Sequence, residues 1–156
     1  MPNKIYRAAQ PQKVFADSGD YPLALASLGV NAGRSSVLFD RGAGSVPVKY
    51  KWRAVITWAA APVAWDIAEI YVCESDGTLN DATWAANASL AADAFLNAVW
   101  LGSVYCQTTT SISSGSCILS SRYFMIGVWN RSTSKTLSAT ANTSKVILTA
   151  MPNEIQ

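Results

Sequence analysis

The chain has 156 residues, of which 50% are hydrophobic and only 14% charged, with twelve Lys and Arg against ten Asp and Glu. It contains no His, which excludes Ser-His-Asp and Cys-His arrangements, His-ligated metals and the usual general base near neutrality. No apolar run reaches the roughly 18–20 residues of a membrane span, and the near balance of charge, without a basic cluster, argues against nucleic acid.

The length fits one domain, and such a chain buries about two-thirds of its unfolded surface. A surface so poor in charge suits a neutral protein or one packed against partners. Residues 1–12 contain Lys4 and Arg7 but no apolar stretch of a secretory signal. The three cysteines are an odd number for a disulfide framework. Buried thiols in a reducing cytoplasm are the simpler reading. Cys106 and Cys117 could instead face each other across a short hairpin, where a bridge would contribute roughly 3 kcal/mol.

Residues 1–34 are punctuated by Pro2, Pro11, Gly19, Pro22, Gly29 and Gly33, as turns are. They are expected to form an N-terminal arm with little regular structure, partly extended, with at most one short strand. Residues 35–156 are expected to form a single β domain. Ser36–Asp40 is a short apolar run closed by the turn Arg41-Gly42-Ala43-Gly44. The clearest strand is Val48–Trp58. Val48, Tyr50, Trp52, Ala54, Ile56 and Trp58 share one face, and Lys49, Lys51 and Arg53 begin the other. This period of two marks a half-buried strand with a solvated or partner-facing side.

Ala60-Ala61-Pro62 ends that strand. Trp65–Glu74 is apolar on both faces and predicts a strand covered on both sides. Ser75-Asp76-Gly77-Thr78 is a turn. The Ala-rich stretch 79–95 is expected to be an inserted loop with at most a short helix, Asn and Asp interrupting the helical propensity of Ala. Strands are expected again over Ala98–Gln107 and Ile118–Asn130, separated by a Ser/Thr/Gly loop at Thr108–Ser116. Arg131-Ser132-Thr133-Ser134 turns the chain, and Leu137 and Val146-Ile147-Leu148 supply the last pieces. The pattern predicts an all-β fold, an antiparallel β-sandwich or jelly roll with an irregular N-terminal arm and one Ala-rich insertion.

Candidate chemistry is sparse. Asp66, Glu69, Glu74, Asp76 and Asp81 cluster in sequence near Trp65 and Trp84, and paired carboxylates beside aromatics are what glycoside hydrolysis needs. Acids at a turn also serve solubility and turn geometry. Asp76-Gly77 with Asn80-Asp81 offers hard oxygen ligands, but the EF-hand spacing is absent and an Asx-turn accounts for them equally well. No Gly-x-Ser-x-Gly elbow occurs, and Gly42-Ala43-Gly44 lacks the later Gly of a phosphate loop. Of the six Trp, Trp52, Trp58, Trp100 and Trp129 fall inside strand patterns and are expected in the core. Trp65 and Trp84 lie near loop ends and are the better interface candidates.

The segments Ile5-Tyr6-Arg7-Ala8-Ala9, Gly33-Arg34-Ser35, Asp40-Arg41-Gly42, Tyr50-Lys51-Trp52-Arg53, Glu69-Ile70-Tyr71-Val72, Ser75-Asp76-Gly77-Thr78, Leu101-Gly102-Ser103-Val104, Val128-Trp129-Asn130 and the stretch Val146–Gln156 resemble small virion structural proteins of tailed bacteriophages. The resemblance spans nearly the whole chain and rests on strand and turn signatures. It implies a β-sandwich or jelly-roll protein of the virion, of the capsid decoration (cement) type and made in the host cytoplasm, without catalytic residues or cofactors. The implied partners are the major capsid protein and copies of the chain itself, as a homotrimer or other cyclic oligomer, with no nucleic acid and no membrane. The candidate interaction residues are Tyr6 and Arg7 of the arm, Arg34, the Lys49, Lys51 and Arg53 face, Trp65 and Trp84. A tail or collar component is the nearest alternative. A carbohydrate-binding β-sandwich using Trp65 and Trp84 is the alternative of another class.

Overall fold

The computed structural model describes residues 10–43, 47–61, 63 and 65–151. Among them the chain forms eleven strands and one short 3-10 turn. They are β1 (Lys13–Ala16), β2 (Tyr21–Pro22), β3 (Ala32–Ser35), β4 (Phe39–Asp40), β5 (Lys49–Thr57), β6 (Ile67–Ser75), β7 (Ser89–Leu90), β8 (Val99–Tyr105), β9 (Thr110–Ile118), β10 (Tyr123–Asn130) and β11 (Lys145–Ala150), with the 3-10 turn at Ala92–Phe95.

Two sheets pack into an all-β sandwich. The first has the order β2-β1-β11-β5-β9 and the second β7-β3-β10-β6-β8, with β4 also pairing β10. All pairings are antiparallel except β1 with β2. The chain passes repeatedly between the sheets, and β11 inserts between β1 and β5.

Sequence period explains which strand sits where. β5 buries Tyr50, Trp52, Ala54 and Ile56 and turns Lys49, Lys51 and Arg53 outward, as its alternation predicts. β6 and β10 are buried along almost their whole length and read as continuous apolar runs. The reason lies in two separate clusters. Between the sheets, Phe15, Phe39, Tyr50, Phe124 and the aliphatic side chains form the main core, with the Phe39 and Phe124 rings 4.7 Å apart. Outside the second sheet, Cys73, Ala82, Trp84, Phe95, Met125 and Trp129 form another.

The second cluster is roofed by residues 79–98, the Ala-rich insertion. As expected, it is largely a loop with one short helical turn, Ala92–Phe95, but it also supplies the two-residue strand β7, which pairs with β3. Polar bonds pin it to the sheet. Ala88 N donates to Ser35 Oγ at 3.0 Å, and Ser35 Oγ donates to Ala85 O at 2.6 Å. Trp84 Nε1 donates to Ala94 O at 2.7 Å. Gly127 in β10 and Gly33 in β3 leave the room this roof needs, since a Cβ at Gly33 would meet the Phe95 ring and one at Gly127 would meet Trp84.

Several expectations are corrected. β1 pairs β11 and β3 pairs β10, so residues 13–16 and 32–35 belong to the sandwich rather than to a loose arm. Residues 1–9 lie outside the described residues, as do Gly44 of the predicted turn and Pro62. The predicted loop Thr108–Ser116 is mostly strand β9. The long strand predicted over Ile118–Asn130 is broken, since β9 ends at Ile118 and β10 starts at Tyr123. Trp52, Trp58 and Trp129 are core residues, but Trp100 is 57% exposed. A β-bulge between Ile70 and Tyr71 shifts the β6–β8 register there and leaves Trp100 at the surface. Cys73, Cys106 and Cys117 are all free thiols.

Candidate interaction surface

The outer face of the first sheet is uncovered among the described residues. On β5 it carries Lys49, Lys51 and Arg53, all exposed, followed by Val55. β11 adds Lys145 opposite Val55, Ile147 opposite Arg53 and Thr149 opposite Lys51. β9 adds Ile112, Ser114, Ser116 and Ile118, all exposed, and β1 adds Val14. The face has cations on two adjacent strands and presents no carboxylate from these strands. Within the described residues, none of Lys49, Lys51, Arg53 or Lys145 forms an ion pair.

The carboxylates are engaged elsewhere. Glu74 accepts from Ser120 N at 3.0 Å, Ser120 Oγ at 2.7 Å and Ser121 N at 2.8 Å, clamping the β9–β10 turn. Burial pushes its carboxyl up, but these donors outweigh it and hold the pKa below the usual value. Asp66 is buried and behaves in the same way. It accepts from Val63 N at 3.1 Å, Thr133 N at 3.2 Å and Ser134 Oγ at 3.3 Å, and these bonds overcome the cost of burial. Asp76 accepts from Thr78 N and Leu79 N, the Asx-turn anticipated from Asp-Gly. Asp40 forms a bidentate pair with Arg122, at 2.7 and 2.6 Å, which lowers its pKa to about 2. Each of these groups is placed as a structural acceptor. Among the described residues no three His, Cys, Asp or Glu side chains gather as a metal site would require.

Glu69 has a different setting. It accepts from Tyr71 Oη at 2.9 Å and from Arg131 Nη1 at 3.0 Å. Burial, with the Glu69 carboxylate second, pushes the Tyr71 phenol up to about 12. These residues line an open groove of about 420 Å³ with Asn31, Phe95, Leu96 and Trp129, where the insertion meets the second sheet.

The sequence-predicted residues are thus separated. Lys49, Lys51 and Arg53 share one face. Arg34 lies on β3 in the second sheet, where its Nη1 donates to Asn87 O at 3.3 Å. Trp65 is 88% exposed, with a left-handed φ of 78°, in the loop before β6. That conformation is uncommon for a bulky residue. The loop is held by the Asp66 N bond to Val63 O and by the carboxylate bonds of Asp66. Trp84, expected at an interface, is 4% exposed because the insertion folds back and closes over it. Tyr6 and Arg7 lie outside the described residues.

Sequence reasoning missed Lys145 and the exposed apolar set Leu96, Val99, Trp100, Tyr105, Ile112 and Ile118. Ile112 and Ile118 carry the period-two signal of a strand, but Ser and Gly around them read as loop. Comparison with protein-family models gives no match to this chain, and none of the curated proteins matches it.

Proposed function

We propose that the chain is a non-enzymatic structural protein of a virion that binds the outside of a capsid as a decoration protein, through the outer face of its first sheet. The observation that carries this reading is the sheet face bearing Lys49, Lys51, Arg53 and Lys145 without a carboxylate. An exposed, cationic sheet face suits an acidic protein surface better than it suits a small substrate. The resemblance to phage virion proteins supports the same reading. The all-β sandwich, whose chain crosses repeatedly between its two sheets, is compatible with the same reading.

The test is the copy number of the chain per purified particle, by quantitative mass spectrometry against the major capsid protein. Hundreds of copies are expected. A handful would move the chain to the tail or collar, and absence would overturn the virion reading. In a reconstituted system, Lys51→Glu combined with Arg53→Glu is expected to abolish particle binding while leaving the fold intact.

The groove beside Glu69, Tyr71 and Trp129 favours the carbohydrate-binding reading as a second one, since aromatic rings with nearby polar groups suit sugars. Binding on a glycan array, lost in Arg131→Ala, would support it. Trp65 remains available for such a role, whereas Trp84 does not.

A further inference from the structure

We propose that β9 is a self-association edge, through which two copies pair antiparallel across a two-fold axis and join their first sheets into one. The proposal gives a surface to the self-association that the resemblance implies, and to that extent rests on the virion reading above.

Lys49 O accepts from Met151 N at 2.8 Å on the β11 side of β5, whereas Val48 O accepts from Leu119 N at 2.8 Å on the β9 side. Residues of an antiparallel ladder alternate in this way along the strand. In the register Tyr50↔Cys117, Trp52↔Gly115 and Ala54↔Ser113, the odd-numbered residues of β9 therefore bond to β5. The backbone N–H and C=O groups of Ile112, Ser114, Ser116 and Ile118 point away from the sheet. Among the described residues no strand hydrogen-bonds to β9 on that side and no hydrogen bond uses those groups; β8, the edge of the second sheet, runs close to β9 without pairing with it.

Edge strands normally carry a charge, a Pro or a bulge that blocks pairing. β9 reads TSISSGSCI, with neither charge nor Pro. Its register with β5 runs unbroken from Lys49↔Ile118 to Thr57↔Thr110. Ile112 and Ile118 stand 54% and 71% exposed along it.

The strand's own pattern fits a second copy. An antiparallel pair about a two-fold axis must be self-complementary. Centred on Gly115, the pairing sets Ile112 of each copy opposite the partner's Ile118, and Ser114 opposite the partner's Ser116. Two apolar cross-strand contacts form by symmetry. Gly115 meets its own counterpart on the axis without a side chain. Its inner side is already filled, since a Cβ there would lie 2.7 Å from Trp52 Nε1. Lys51 and Arg53 sit one strand back, opposite Ser116 and Ser114, so pairing buries no cation.

Sedimentation equilibrium of the full chain, over a wide range of concentration, is expected to show a dimer of the 16.7 kDa chain. Ser114→Pro removes an outward N–H while sparing the bonds to β5, a position where an edge strand tolerates Pro. Ile112→Lys puts a charge on the pairing edge. Both are expected to sediment as monomers with unchanged near-ultraviolet circular dichroism. Ser113→Cys sets a thiol opposite the partner's Cys117, so oxidised glutathione is expected to yield a covalent dimer that adding Cys117→Ser abolishes. A wild-type chain that is monomeric throughout, a trimer, or a dimer that survives both edge substitutions would overturn the proposal. An intact β9 dimer that fails to bind particles would uphold it and count against the decoration reading alone.

Discussion

The two outer faces of the sandwich differ in almost every respect. Among the described residues, that of the first sheet is bare, cationic and built of Ser, Thr, Val, Ile, Lys and Arg side chains. That of the second is roofed by the insertion over a cluster of Trp84, Phe95, Met125 and Trp129. A sheet face that has to hold a roof needs apolar residues on both sides of its strands, and the sequence of β6 and β10 shows it. A bare face leaves the alternation of β5 visible. The contrast separates what the fold uses for itself from what it leaves for a partner.

The sharpest way to break the shared core is Phe124→Ala. Phe124 is fully buried and its ring contacts Phe39, Phe15 and Tyr50. Denaturant unfolding is expected to show a loss of about 3–5 kcal/mol, affecting both sheets together.

Gly127→Ala tests the roof. The added Cβ meets Trp84 and lies 3.0 Å from Phe95 Cε1. Neither ring can swing aside without opening the cluster, so a cost of about 1–3 kcal/mol is expected. Hydrogen exchange should rise in residues 79–98 and stay low in β5 and β11. Equal exchange across both sheets would mean that the roof and core are one cooperative unit.

Asp66→Asn sharpens the comparison by pH. Asp66 and Glu74 both have pKa values held below normal in the folded state. Groups of this kind contribute stability that is present above the unfolded carboxylate range and is lost as pH falls through the folded pKa. Stability is therefore expected to fall as the pH drops below about 4.5, where unfolded carboxylates begin to protonate. Asp66→Asn should cost about 1–3 kcal/mol near neutrality and flatten that acid limb. An unchanged limb would assign the acid loss to Glu74 and Asp40.

Lys51→Glu should have the smallest effect on folding, within about 0.5 kcal/mol, because the side chain lies exposed on the bare face. A large loss of stability would show that the face is engaged within the chain and is not free for a partner.

What the sequence makes legible follows from the same contrast. β5 is plain because one side is core and the other solvent. β6 is plain as a doubly covered strand, and residues 79–95 are plain as an insertion. β9 is hidden because neither of its sides demands large residues. Its outer side is an edge facing solvent, and its inner side must stay small where the Trp52 indole packs against Gly115 and Gly102. Trp84 misleads for another reason. It lies among Ala, Asn and Thr that look like a surface loop, and only the return of residues 92–98 onto the sheet buries it. Trp100 misleads in the opposite direction, because a single bulge in the β6–β8 pairing is invisible to periodicity. The cationic face is half legible. Lys49, Lys51 and Arg53 show in one strand, but Lys145 joins them only through the β5–β11 register, which brings together residues about ninety positions apart.

That last pairing has a mechanical side. The first and last strands, β1 and β11, are antiparallel neighbours, with Lys13 opposite Leu148 and Phe15 opposite Val146. The outer ends of both strands therefore emerge together at one end of the first sheet. A force that separates Lys13 from Ala150 would act across the strands and not along them. It would open the ladder one pair at a time, as a zipper opens, and would not have to shear all the bonds at once. Tension applied through these two points should unfold the sandwich at low force, starting from β1, whereas a load borne by the long β5–β9 and β5–β11 ladders along their axis should meet far greater resistance.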